Sequence, residues 1–168
     1  AIALKQLHQI DFVGDREVDH MEWSIELLES IILKQPFQGI LDHRFCNFGR
    51  WYNEYMNTDE FKELPTELQN AYGAIDAPHK KLHESAAKIV SLLEANDFSD
   101  DAWLLAARLF QDETSAHLLD VRMQIDVVHT LLREIADDIE IQIDNQRVLA
   151  KRISIVVLVI AVLVGAVL

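Results

Sequence analysis

The sequence has few residues that break helices. Its 168 residues include five glycines and three prolines, no proline follows Pro78, and Gly165 is the only glycine after Gly73. Segments typical of β-strands are also absent, which argues against sheet-based folds. The single cysteine, Cys46, excludes an intramolecular disulfide and leaves a thiol that must be buried, reactive or bound to a metal. The sequence therefore predicts an all-α protein.

Basic residues are scarce in most of the chain. Residues 1–146 carry all 28 acidic side chains but only 12 of the 15 basic ones, and Arg147, Lys151 and Arg152 are the only charged residues after Asp144. The formal net charge is −13. An acidic body of this kind repels the phosphate backbone of nucleic acids, so nucleic acid is not an expected partner.

The spacing of apolar residues divides the chain into helical segments. Half of the residues are hydrophobic, and this length suffices for one sizeable core with an appendage. Residues 1–14 are predicted to form a helical lead-in that can be the end of a preceding transmembrane helix, and residues 15–96 form the main helical domain. Residues 97–152 are predicted to form one long helix after an N-cap at Ser99.

Two apolar patterns follow Ser99. From Leu118 to Ile139 apolar residues recur at alternating spacings of three and four, which suits an inner face of the same bundle or the seam of a dimeric coiled coil. Residues 153–168 are uncharged and almost entirely apolar. This helix would span about 24 Å, somewhat less than the hydrocarbon core of a bilayer at about 30 Å. We therefore predict a truncated transmembrane helix there.

Four side chains form a candidate metal site. His79 and His83 are four residues apart in a helical segment, so both imidazoles lie on one face and can reach one ion. His79 also lies in an apolar stripe, where an unpaired imidazole is costly. His20 and Cys46 come from two other predicted helices and complete a set of three imidazoles and one thiolate. These donors suit zinc better than iron or calcium, since no cluster of carboxylates accompanies them.

Other interpretations of the same residues stay open. A histidine on a helix is more often a surface residue or a hydrogen-bonded core residue than a metal ligand. His43, three residues before Cys46, is a rival ligand. Asp19, Asp42 and Asp76 can orient ligand imidazoles, although solvated acids on a helix surface are more common.

Three motifs around these residues resemble the chemoreceptor zinc-binding (CZB) domain of bacterial chemoreceptors and some diguanylate cyclases. They are a His-x-x-Trp element at residues 20–23, a Cys-x-x-Gly-x-Trp element at residues 46–51 and an HxxxH element at residues 79–83. The resemblance covers about residues 15–95. It implies an antiparallel helical bundle, commonly dimeric, and a zinc site whose four ligands do not include His43. The implied ligands are His20, Cys46, His79 and His83.

The resemblance implies a sensory input domain of a bacterial membrane chemoreceptor-type signal transducer. Such a domain senses zinc or, through its cysteine, oxidants such as hypochlorous acid, and a downstream signalling domain carries the output. We expect no enzymatic activity, because zinc with four protein ligands has no open position for water. The alternatives are a hemerythrin-like di-iron bundle that binds oxygen, and a structural, zinc-stapled dimerisation module.

The expected location depends on the predicted transmembrane helix. Arg147, Lys151 and Arg152 precede it, and the positive-inside rule would place the domain in the cytoplasm. A clipped membrane segment at residues 1–4 would instead bracket a domain on the outside, and an acidic body suits that side. We therefore predict a protein of the bacterial inner membrane with a periplasmic sensor domain, with a cytoplasmic domain as the alternative.

Overall fold

The computed structural model describes the backbone of residues 2–165 and the side chains of residues 12–158 and 160. Every regular element in this part of the chain is helical, which confirms the predicted all-α class. A π-helical turn, Phe110–Thr114, joins the sixth helix to the seventh without a loop. The helices are α1 (Ile2–Leu33), α2 (Asn47–Tyr55), α3 (Asp59–Lys62), α4 (Thr66–Gly73), α5 (Asp76–Ala95), α6 (Asp100–Leu109) and α7 (Ser115–Gly165).

The first helix packs antiparallel to the segment that runs from α6 into α7. Lys34 at the end of α1 pairs with Asp100 at the start of α6, whereas Glu17, earlier in α1, pairs with Arg122 of α7. The helix α1 therefore runs against the continuous segment formed by α6, the π-helical turn and α7. In this respect the fold is the antiparallel bundle that the resemblance implies.

The start of α5 follows from a proline. Pro78 predicts either a kink or a new helix, and the structure begins a new helix at Asp76. Pro78 then lies in the first turn, where its missing N–H group leaves no intrahelical hydrogen bond unmade. The break from α4 falls at Ala74 and Ile75, and His79, near the start of α5, is buried in the bundle interior.

The long helix predicted over residues 97–152 is interrupted. Its predicted N-cap is confirmed, because the Ser99 hydroxyl accepts a hydrogen bond from the N–H of Ala102. The π-helical turn was not predicted, and it ends at the fully buried Thr114, whose hydroxyl accepts a 2.9 Å hydrogen bond from the Ser85 hydroxyl of α5. A π-helical turn inserts one extra residue, so α6 and α7 turn different faces toward the bundle.

Apolar residues of the heptad pattern in α7 pack inside their own bundle. The central residues of this pattern are 0–1% exposed and join one core cluster with aromatic residues of α2 and α4. These central residues therefore form part of the core of their own bundle. The residues are Val121, Ile125, Val128 and Leu132.

No helix in the part of the chain that the structure describes is long and apolar enough to cross a membrane. The transmembrane helix predicted at residues 153–168 therefore lacks support. Residues 166–168, and the side chains of residues 159 and 161–165, lie outside the described residues, as do the side chains of most of the lead-in at residues 1–14. The prediction of an inner-membrane protein with a periplasmic sensor domain is wrong, because it rests on a membrane helix that the described residues do not contain.

Candidate metal centre

Four buried side chains from three parts of the chain meet inside the bundle. Each of His20, Cys46, His79 and His83 offers one ligand atom, and these four atoms all lie within 4.8 Å of one another. The Sγ atom of Cys46 lies 3.3 Å from Nε2 of His79 and 4.0 Å from Nε2 of His20. The structure therefore brings together all four residues that the sequence singles out as candidate ligands.

Backbone carbonyl groups orient two of the imidazole rings. Nδ1 of His20 lies 2.7 Å from the carbonyl oxygen of Arg16, and Nδ1 of His83 lies 3.0 Å from that of Ile40. A carbonyl oxygen can only accept a hydrogen bond, so each Nδ1 carries the proton and each Nε2 presents a lone pair. For these two rings the orienting groups are carbonyls rather than the three candidate aspartates.

One ring nitrogen in the cluster lacks a protein partner. Nε2 of His83 is buried and makes no hydrogen bond, although an unsatisfied buried acceptor is costly. A metal ion bound to this lone pair would remove the cost, and the neighbouring donors are those that a divalent cation such as zinc accepts. The four side chains therefore fit a metal ion.

Trp23 fixes the same loop carbonyl that orients His83. Its Nε1–H donates a 3.1 Å hydrogen bond to the carbonyl oxygen of Ile40, and its indole ring lies 4.5 Å, centroid to centroid, from the His83 ring. The His-x-x-Trp motif thus supplies one candidate ligand and one residue that positions another. The Ile40 carbonyl leaves no trace in the sequence, because any residue at that position would supply it.

The Cys-x-x-Gly motif shapes the backbone around the thiol. Cys46 is the N-cap of α2, and its Sγ atom accepts a 3.2 Å hydrogen bond from the N–H of Gly49. A Cβ atom on Gly49 would lie 1.8 Å from the carbonyl oxygen of His43, so only glycine fits there. The helix α2 starts at Asn47, directly after this cap.

Burial sets the protonation of the cluster when no metal is bound. Burial lowers the pKa of His79 to about 2 and that of His83 to about 4, with the neighbouring imidazoles adding to both shifts. Burial also lowers the pKa of His20 and raises that of the Cys46 thiol. At neutral pH the imidazoles are therefore ready to bind a metal, whereas Cys46 must release a proton on binding.

The rival assignments fit the cluster less well. The His43 ring lies 5.6 Å, centroid to centroid, from that of His79, but His43 does not join the group of candidate ligands. In the described part of the chain that group contains no Asp or Glu. A di-iron centre needs several carboxylates, so the hemerythrin-like alternative lacks its ligands here.

The fold and the site together define an all-α bundle with a buried metal-binding cluster of three imidazoles and one thiol. Residues 20–90, less than half of the chain, match the family described as Chemoreceptor zinc-binding domain (CZB). This match confirms the resemblance and contains all four cluster residues. It also confirms zinc as the metal, since the family is a zinc-binding domain and the four side chains are positioned to bind one ion. No curated protein and no solved structure shows significant similarity to the chain.

The matched family is sensory rather than enzymatic, and a zinc-binding sensor domain agrees with the cluster. Domains of this family are typically cytoplasmic. This is a second finding against the periplasmic location predicted from the sequence.

Proposed function

We propose that the chain contains a zinc-binding sensory input domain in which His20, Cys46, His79 and His83 hold one zinc ion. The observation that carries the proposal is the set of four buried donor atoms within 4.8 Å of one another. Three neutral imidazoles and one thiolate complete a tetrahedral zinc shell. A complete shell leaves no position for an activated water, so the site suits sensing rather than hydrolysis.

Zinc in this site would join three parts of the bundle. His20 belongs to α1, Cys46 caps α2, and the two remaining histidines belong to α5. Loss of the metal, or of the Cys46 thiolate, would release α1 and the α2 cap from α5.

A cysteine thiolate and hypochlorous acid give a sulfenic acid and chloride, with two electrons passing from sulfur to the oxidant. The sulfenic acid no longer offers the thiolate that zinc requires.

A polar contact connects α5 to the segment that leads into α7. Ser85, two residues after His83, donates to the buried hydroxyl of Thr114 at the end of the π-helical turn. Lys88 of α5 also pairs with Glu113 of the same turn. A change in the position of α5 would therefore reach α7, which we propose carries the signal to a downstream signalling domain.

We also propose that two copies of the chain associate through α1. Val18, Met21, Ile25 and Ile32 are 36–68% exposed, and together with the partly buried Leu28 they follow the alternating spacing of a coiled-coil seam. Part of this stripe forms one wall of a groove whose other wall includes Phe110 and Leu118. A second copy can cover the stripe with the same stripe of its own α1, as in an isologous interface.

The Ile25→Glu variant is expected to be monomeric at concentrations at which the wild type is dimeric. A charge at the centre of the stripe would be buried without a partner in the dimer. Sedimentation velocity of both proteins measures the difference. Leu105→Glu makes the same chemical change at an exposed residue of α6 outside the groove and should remain dimeric. A dimer of Ile25→Glu as tight as that of the wild type would exclude this interface.

Metal content tests the zinc site. Elemental analysis should find one zinc ion per wild-type chain and little or none in Cys46→Ala and His83→Ala, because each variant removes one ligand. His117→Ala removes a histidine outside the cluster and should keep its zinc. Iron in place of zinc would favour the di-iron alternative.

Competition with chelators then distinguishes a sensor from a permanent structural zinc site, since a structural site holds zinc far more tightly than a sensor.

A further inference from the structure

A small cavity reaches the metal cluster from the protein surface. Its lining includes Asp19, Asn47 and three of the four candidate ligands, His20, Cys46 and His83. Its volume is ≈ 120 Å³. A cavity of this size has room for an ion or a small molecule.

The residues that line the cavity differ in exposure to solvent. Asn47 is exposed, and the side chain of Asp19 is 35% exposed, so these two residues face solvent. Cys46 is 9% exposed, whereas the three histidines are 1–4% exposed. Cys46 is therefore the most exposed of the four candidate ligands.

Asp19 is the only residue in the lining that is charged at neutral pH. Arg16 pairs with its carboxylate at 2.8 Å but does not itself line the cavity. A cleft with one sign of charge and low-dielectric walls concentrates ions of the opposite sign.

We propose that this cavity is the entrance to the zinc site and that Asp19 selects by charge what enters. Asp19 speeds the entry of Zn²⁺ and slows the entry of anionic oxidants, whereas neutral oxidants pass at a rate that does not depend on its charge. The inference rests on the proposed function, because it assigns a role to a residue at the same site. Asp19 is thus a specificity residue that neither binds the metal nor reacts.

Two oxidants of different charge separate the effect of Asp19 from a general change in reactivity. With hydrogen peroxide, the thiol gives a sulfenic acid and water. With peroxymonosulfate, a small anion, the thiol gives a sulfenic acid and hydrogensulfate. Both reactions transfer one oxygen atom to sulfur and two electrons from it. The ratio of the two rate constants is therefore insensitive to the reactivity of the thiol itself.

The test compares Asp19→Asn, which removes the charge at nearly constant size, with the wild type and with Glu22→Gln. Glu22 is an exposed acid of the same helix that does not line the cavity. In metal-free Asp19→Asn, the ratio of the peroxymonosulfate rate to the peroxide rate should rise about five-fold, and zinc uptake in stopped flow should slow about five-fold. Glu22→Gln should match the wild type, and 1 M salt should remove most of the difference.

The outcomes separate this inference from the proposed function. Equal ratios in Asp19→Asn and the wild type, or an equal change in Glu22→Gln, would overturn the charge selection even if zinc binds as proposed. Failure of the wild type to bind zinc would overturn the proposed function and the zinc part of this inference. The oxidant ratio would still decide whether Asp19 controls access to the thiol.

Discussion

The Gly49→Ala variant is expected to bind zinc about 100-fold more weakly than the wild type or to lose it entirely. The added Cβ atom would lie 1.8 Å from the carbonyl oxygen of His43. Moving the backbone at either residue 43 or residue 49 to relieve this clash would be energetically costly. Relief requires α2 and the segment before it to separate. Because Cys46 lies between them and accepts a hydrogen bond from the N–H of Gly49, the separation displaces the thiol from the three imidazoles.

Chelator competition measures this loss, and the chain offers a matched control. Gly73 is also helical, but a Cβ atom there would contact nothing within 4 Å. Gly73→Ala should therefore bind zinc like the wild type and should stabilise α4 slightly, since alanine favours helix by about 1 kcal/mol over glycine. Wild-type zinc affinity in Gly49→Ala would show that the backbone around the thiol adapts freely, against the observed geometry.

The metal-free domain is expected to lose stability steeply as the pH falls below about 6.5, the ordinary pKa of histidine. Burial depresses the pKa of His79 to about 2, that of His83 to about 4, and that of His20 below its ordinary value. The folded state therefore binds fewer protons than the unfolded state in this range. The free energy of unfolding should fall by about 1.4 kcal/mol per pH unit for each of these histidines.

The sign of this dependence is fixed by the direction of the shifts. The contribution of these buried, neutral histidines to the free energy of unfolding is fully present above pH 6.5. It is lost progressively until the pH reaches the depressed pKa of each histidine. Urea denaturation with chelator at pH 7.5, 6.5 and 5.5 measures the slope. His79→Leu should reduce the slope of the unfolding free energy against pH by the contribution of one histidine. His117→Ala should leave the contribution of the three cluster histidines unchanged. Equal stability at pH 7.5 and 5.5 would contradict the burial of neutral imidazoles.

The sequence could single out the motif residues as candidate ligands because their chemistry restricts their spacing. His79 and His83 reach one ion only at helical spacing, and the two other motifs supply an imidazole and a thiolate in the expected order. The residues that support them were harder to find. The Ile40 carbonyl belongs to a loop backbone, and the hydrogen bond from Trp23 to it depends on how that loop folds over α1.

The interruption between α6 and α7 lay beyond sequence reasoning for a physical reason. No proline or glycine marks residues 110–114, so helical propensity alone predicts a continuous helix. The position of the turn coincides with a tertiary contact, the buried hydrogen bond from Ser85 to Thr114, which no local pattern reveals. The apolar run from residue 153 led to a prediction that lacks support. Its hydrophobicity alone predicted a membrane helix, which the described residues do not bear out.

Zinc K-edge X-ray absorption of the purified protein tests the proposed zinc ligands, because it identifies and counts the donor atoms around the metal. We expect one sulfur at about 2.3 Å and three nitrogens at about 2.0 Å, and in Cys46→Ala the sulfur shell should disappear. A wild-type spectrum without sulfur, or one dominated by oxygen donors, would contradict a site formed by His20, Cys46, His79 and His83.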